Sequence, residues 1–464
     1  MGRDIAPQEL ANEITVHTSS LFDSKNKCFV SDLSLVIDTK TGLITRTWKR
    51  QPHEEEELLA TAQGKSTTTT NNDVSQSDNN KKTGVIDLRG LTVLPGLVDS
   101  HTHIFLHPYT ETPSLHQMRD ESVVERVVRA TNHARAALMA GYTTYRDLGT
   151  EGLRDADANL RDAINRGLMP GPRMYVATEC IASSAGYELR RENAFPGSGL
   201  AVPRISDPAD GVDGVRAAVR RRLGAGADIV KFYADYRKRA LRFPASPWPG
   251  AAPVQFPPPS DDPFDNRRNP NVLLFTQAEM DAMVSEARAS GSPISAHAQS
   301  PAAVVMAARA GVTTIEHGYI PDDEAVRAMR DSGTIFVPTL SVYEVSYDGA
   351  AMRAILAHAK AAFDAGVKLA AGGDTGAIAH GENARELELL EKAGVPTLDI
   401  LRAATLHGWE ACGGDLCGRR FGALEDGFAA DIVAVDGDFG KDLSALRKVK
   451  FVMKDGVVYK DEVA

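Results

Sequence analysis

The sequence predicts an α/β fold: a (β/α)8 TIM barrel carrying a small β-sandwich built from both ends of the chain. Three observations lead there. From about residue 95 onward, eight strand-like apolar runs alternate with helical patterns over about 320 residues, as a closed parallel barrel requires. Short strand patterns separated by turn residues occupy both ends, 10–94 and 418–464. No glycine-rich phosphate turn follows the first barrel strand, which argues against an open doubly wound sheet.

The N-terminal part, 10–94, reads as antiparallel strands such as Ser31–Ile37 and Gly42–Ile44. Within it, 61–83 is polar and repetitive, including Ser66-Thr67-Thr68-Thr69-Thr70, too poor in apolar groups to offset its ordering entropy. It reads as a flexible insertion without chemistry, and the acidic run Glu54–Glu57 as a solvated face.

The barrel, 95–417, opens with the apolar run Leu97–Phe105 after Pro95-Gly96. A helix from Val123 to Ala140 stops at Gly141, and Tyr142–Asp147 and Arg173–Thr178 are the second and third strands. A helix over Val212–Leu223 leads to the fourth strand, Ala227–Tyr233. A helix over Phe275–Ser290, capped by Thr276, leads to the fifth, Pro293–His297. Val312–His317, Thr334–Val337 and Lys368–Asp374 complete the set. In the C-terminal part, Ile432–Val435 and Lys450–Met453 again read as short strands.

Composition narrows the function classes. With 43% hydrophobic and 25% charged residues the chain is that of a globular protein, and a net charge of −10 argues against nucleic-acid or polybasic membrane binding. No apolar run approaches the roughly 20 residues of a membrane span. The first residues lack the apolar core of a secretory signal, and the four cysteines form no recognisable framework. A reduced, cytoplasmic protein is the expectation.

The chemistry sits at the strand ends. His101 and His103 alternate onto one face of the first strand, where two imidazoles can reach one cation. Alone, this pair also reads as two core histidines or a turn. Lys231, His297, His317 and Asp374 then end the fourth, fifth, sixth and eighth strands. Singly, His297 reads equally as a core histidine, Asp374 as a helix cap, and Lys231 as a snorkelling side chain. Together, six such residues meet at the C-terminal mouth, where barrel active sites lie, and a buried charge there needs a partner or a metal.

These motifs resemble the amidohydrolase superfamily, metal-dependent hydrolases on a distorted (β/α)8 barrel. The residues that carry the resemblance are His101-Thr102-His103, Lys231, Ser295-Ala296-His297-Ala298, Ile315-Glu316-His317-Gly318, Gly372-Gly373-Asp374-Thr375-Gly376 and the C-terminal Gly427–Val433. Within the superfamily the pattern is most similar to the imidazolonepropionase-like branch, which includes ochratoxinase and metal-dependent Xaa-Pro and Xaa-Arg dipeptidases. The resemblance implies two divalent metal ions, by default zinc, with Mn²⁺ or Co²⁺ as substitutes. His101, His103 and Asp374 would hold the more buried one and His297 and His317 the other, with Lys231 bridging both as N6-carboxylysine. A mononuclear, deaminase-like site is the competing arrangement within the superfamily.

The implied reaction is hydrolysis of a carbon–nitrogen bond in an N-acyl amino acid, dipeptide or aryl amide such as ochratoxin, through a metal-bridging hydroxide, in the manner of a metallopeptidase. Asp374 would pass the proton from water to the leaving nitrogen. Hydrolysis of cyclic amides, imidazolone-like rings, lactones or esters is the alternative. A non-catalytic scaffold is disfavoured because all six ligand positions are filled. His380, in the loop after the eighth strand, is the first choice for a substrate contact, with a capping or solvent histidine as the bland reading. Tyr233, on the strand face of Lys231, is a second candidate set against simple packing, and Arg146 reads as a salt-bridge partner behind the ligands. Beyond Lys231 the chain departs from its relatives: basic Arg237-Lys238-Arg239 precedes a proline-rich insertion, 243–272. That segment is expected to shape the mouth, and its basic residues either attract a carboxylate or form a solvated turn. A small-molecule amide is the expected partner, with neither nucleic acid nor membrane, and the protein is expected to be a homo-oligomer.

Overall fold

The computed structural model describes residues 12–55, 58, 83–186, 205–237, 270–318, 322–347, 349–439 and 443–463. The chain divides into two compact units, one built from the segments before Leu97 and after Gly418, the other spanning Leu97–Gly418.

The first unit contains two sheets. One has four strands in the order Leu43–Lys49, Leu33–Asp38, Glu13–His17, Thr83–Asp87. The other has six, in the order Val457–Asp461, Val449–Lys454, Ile432–Val435, Thr92–Pro95, Ser20–Asp23, Cys28–Ser31, so the two ends of the chain share one sheet. Ile14, Val16, Leu35 and Ile37 of the first sheet and Val93, Ile432, Phe451 and Met453 of the second belong to one buried cluster. Alternating apolar side chains on both sheets make that burial possible. Thr83 opens a strand paired in parallel with Glu13–His17; the rest of the expected insertion, 61–82, lies outside the described residues.

The second unit alternates strands and helices. Leu97–Thr102, Tyr142–Asp147 and Arg173–Val176 form a parallel three-stranded sheet. Cys180–Ala182, Ser206–Pro208, Val230–Tyr233, Ile294–Ala298, Thr314–His317 and Ile335–Val337 form a parallel six-stranded sheet. Parallel strands buried on both faces read as nearly continuous apolar runs, and Leu97–Thr102, Val230–Tyr233 and Ile294–Ala298 are buried at every position. The helices start and stop where the sequence signals them. Thr276 and Glu279 form a capping box at the start of Gln277–Ala289, and the Ser122 side chain caps Val123–Met139.

One expectation changes. The eighth strand, Lys368–Asp374, is not a continuous strand: it contributes one isolated bridge, Leu369 to Phe336, and Thr375 a second, to Thr102. Its backbone bonds are shared out, Ala371 N–H donating to Ala403 while its carbonyl accepts from Ser100 N–H. Gly372 passes so close to the first strand that a Cβ there would stand 2.6 Å from the His101 nitrogen, a closeness only glycine permits. The proline-rich segment is described only at its end, where Asn271–Leu273 pairs antiparallel with Asp235–Arg237. Residues 243–269 lie outside the described residues, as do Lys238 and Arg239. Among the described residues no helix is long and apolar enough to cross a membrane.

Candidate active site

The strand ends converge on a cavity of about 520 Å³ lined by His101, His103, Lys231, Tyr233, His297, His317 and Asp374. All six expected ligands therefore meet in one place. His101, His317 and Asp374 each offer a ligand atom within 4.8 Å of the others. The imidazoles form a chain, with ring centroids 5.4 Å apart for His101–His103, 5.0 Å for His101–His317 and 4.5 Å for His297–His317.

Local backbone geometry explains how neighbouring residues reach one cavity. In a regular strand Glu316 and His317 would point to opposite faces. His317 instead has φ 74° and Asp374 φ 56°, left-handed conformations that are costly for non-glycine residues and concentrate at functional sites. The turn at His317 brings its ring beside His101 while Glu316 stays on the interior face.

Three of the histidines are held from behind. His101 Nδ1 donates to Glu316 Oε2 at 2.9 Å, His103 Nδ1 donates to the Gly149 carbonyl at 2.8 Å, and His317 Nδ1 bonds Thr339 Oγ1 at 2.9 Å. Metal-binding imidazoles are oriented in this way, with the remote nitrogen fixed and the other free to ligate. Glu316 is tied in turn to Arg146 Nη2 at 2.7 Å and to Ser295 Oγ at 2.7 Å, with both charged side chains fully buried. Arg146 is thus the salt-bridge partner expected of it.

Electrostatics follow from burial and proximity. Burial, then Lys231, lowers His101 to about 4, and burial with His101 lowers His317 to about 3. Burial also opposes a charged His103, but Asp374, whose Oδ1 lies 3.3 Å from its Nε2, outweighs it and raises the ring to about 9. Asp374 would rise on burial; the His101, His103 and His317 imidazoles around it hold it well below the usual carboxylate range. Burial lowers the Lys231 ammonium. Lys231 Nζ and His297 Nε2 are buried without a hydrogen-bond partner among the described residues, a costly state that a bound cation would relieve at the His297 imidazole.

The remaining expectations divide. Tyr233 lines the cavity, with its ring 5.0 Å from that of His297. His380 does not belong to the lining: its Nε2 donates to the Leu106 carbonyl at 3.1 Å, its Nδ1 lies 3.4 Å from the Tyr145 hydroxyl, and its ring stacks on His133 at 4.3 Å. The structure gives it a packing and bridging position outside that lining. Arg237 does reach the lining, together with Glu151, Tyr109, Tyr236 and Tyr343. Sequence reasoning missed Glu316, Glu151 and Thr339. Glu316 stood inside a quoted motif, but simple strand alternation points it away from His317.

Known proteins resemble this chain in sequence and fold. Residues 92–460 match the amidohydrolase family. The chain is 28% identical to the ochratoxinase of Aspergillus niger over 402 residues, which span 79% of this chain and 75% of that protein. A solved Xaa-Pro dipeptidase with methionine bound in its active site is similar with a TM-score of 0.71 at 29% identity, over 97% of this chain and 100% of the other. The A. niger ochratoxinase structure is similar with a TM-score of 0.72 at 24% identity, covering 98% of this chain and 97% of that one, a likeness of fold.

Proposed function

Since the chain belongs to the amidohydrolase family, we propose that it uses two divalent metal ions to hydrolyse the amide bond of N-acyl amino acids, dipeptides or aryl amides. That it is a hydrolase acting on amide bonds follows from the family and its relatives. The observation that carries the finer reading is the unsatisfied pair Lys231 Nζ and His297 Nε2, facing the same cavity as His101, His103, His317 and Asp374. Imidazole and carboxylate donors suit zinc. In this reading His101, His103 and Asp374 would hold one ion and His297 and His317 the other, with Lys231, as a carbamate, supplying a further anionic ligand. Burial favours the neutral Lys231 amine, the form that adds carbon dioxide with loss of a proton. The surrounding strands form a distorted (β/α)8 barrel and the first unit a β-sandwich; the parallel pairings and the cluster shared by two sheets support this.

Bound divalent ions supply Lewis acidity, lowering the pKa of water and polarising a carbonyl. The protein's own groups do the rest. Asp374, kept ionised by its imidazole neighbours, accepts a proton from the attacking water at Oδ1 and returns it to the leaving nitrogen. Tyr233 donates its hydroxyl proton toward the carbonyl oxygen as charge develops there. Arg237 has no carboxylate partner among the described residues, and its planar fork fits a substrate carboxylate.

The test is a hydrolysis screen of zinc-loaded protein against N-acyl amino acids, dipeptides, an aryl amide of phenylalanine, lactones and cyclic imides, with Asp374→Asn as control. Turnover of linear amides that disappears in the control supports the reading. Turnover confined to rings or esters replaces it with the ring-hydrolase alternative.

A further inference from the structure

We infer that Asn383 and Glu386, one helical turn apart, act together as a clamp that positions the two halves of the metal-ligand cluster. The inference rests on the metal-centre reading above. Asn383 precedes the helix Ala384–Ala393 and Glu386 lies in its first turn, the places where side chains ordinarily cap their own helix. Neither does so. Asn383 makes no side-chain cap bond. Its amide nitrogen reaches Asp99 Oδ2 at 2.7 Å, Tyr145 Oη at 2.8 Å and Thr375 Oγ1 at 3.2 Å. Glu386 sends both oxygens to another helix, accepting from Leu340 N at 2.9 Å, Ser341 N at 2.8 Å and Ser341 Oγ at 2.8 Å.

Each reach ends behind metal ligands. Asp99 accepts from the His101 backbone N–H at 3.0 Å, from Gly373 N–H at 3.4 Å and from Thr375 Oγ1 at 2.7 Å. One buried carboxylate thus ties the backbone of His101 to both residues flanking Asp374, and Asn383 holds that carboxylate in place. On the other side, Glu386 takes over the cap of the helix Leu340–Ser346. Thr339, which precedes that helix at the cap position, makes no cap bond of its own and bonds His317 Nδ1 instead. Asn383 therefore governs His101 and Asp374, and Glu386 governs His317. Both side chains are 1% exposed, so neither contacts substrate, and both are positioning residues.

The experiment compares wild type, Asn383→Leu and Glu386→Gln, each freed of metal by chelation. Zinc affinity is read by competition with a chromophoric chelator, and the unfolding temperature is measured with and without zinc. Positioning predicts a zinc affinity lower by roughly 10- to 100-fold in each variant, with a smaller zinc-induced rise in unfolding temperature. Wild-type zinc affinity and an undiminished zinc-induced rise in both variants, alongside a lower metal-free unfolding temperature, overturn the clamp and leave the metal centre standing. If Asn383→Leu does not fold, Glu386→Gln decides by the same two readings. A wild type that takes up no zinc overturns the metal-centre reading and the clamp with it.

Discussion

Glu316 Oε2 and His101 Nδ1 are 2.9 Å apart, and neither side chain is more than 1% exposed. The same carboxylate meets the buried Arg146 guanidinium at 2.7 Å. One acidic group therefore fixes the orientation of an expected ligand and neutralises a buried positive charge that would otherwise repel a cation. Replacing Glu316 by glutamine leaves Arg146 buried opposite a neutral amide. Breaking a buried pair in this way costs about 3–5 kcal/mol. Amide hydrolysis is predicted to fall roughly 10- to 100-fold. Thermal unfolding and steady-state kinetics of Glu316→Gln check both.

Gly372 lies where the chain after the seventh strand passes the first. A Cβ there would stand 2.6 Å from the His101 backbone nitrogen and 2.8 Å from Val337 Cγ1. The obstacle is partly backbone and has little room to yield, so Gly372→Ala is predicted to cost at least ~1–3 kcal/mol and to displace His101. Gly224, at the end of a helix, provides the contrast, because a Cβ there would meet nothing within 4 Å. Gly224→Ala is predicted to be neutral or slightly stabilising. Denaturant titration of the two variants distinguishes the sites.

Tyr233 lines the cavity and His380 does not. Tyr233→Phe is predicted to lower kcat/KM by roughly 10²-fold, the cost of one lost donor to a developing oxyanion. His380→Asn is predicted to leave KM within about twofold and to act mainly on stability, through its bonds to Leu106 and Tyr145. A large KM effect in His380→Asn would restore the substrate contact that the sequence suggests.

Burial lowers the His407 imidazole to about 4, against the Leu369 carbonyl that its Nδ1 meets at 2.8 Å. Because the folded value lies below the ordinary 6.5, the unfolded chain binds more protons between about pH 4 and 6.5. The stability is present above 6.5 and is lost as pH falls through that window, by roughly 1–3 kcal/mol. Urea midpoints at pH 7.5 and 4.5 are predicted to differ less in His407→Gln, which keeps a donor for Leu369 but cannot titrate.

The convergence of the six residues on one cavity is legible in the sequence because parallel strands buried on both faces have no packing reason to end in His, Lys or Asp. The groups behind them were not legible. Glu316 was hidden by the left-handed turn at His317, which breaks the alternation from which facing side chains are read. Asn383 and Glu386 stand at helix-start positions where capping is the ordinary explanation, and only the fold shows that they serve other elements. Lys368–Ala371 has strand composition, while Gly372 and the left-handed Asp374 prevent a regular ladder, so the sequence suggests more of an eighth strand than forms. The loop position of His380 suggests a substrate contact, and sequence does not report that its ring packs on His133.

The two-metal centre is tested most directly by zinc titration of chelated protein, following bound metal and hydrolysis of an N-acyl amino acid together, in wild type and Lys231→Ala. Activity is predicted to rise with metal to two ions per chain, and Lys231→Ala to lose both tight binding of the pair and turnover. Full activity in the chelated protein, or undiminished turnover by Lys231→Ala, would contradict a metal centre bridged by Lys231.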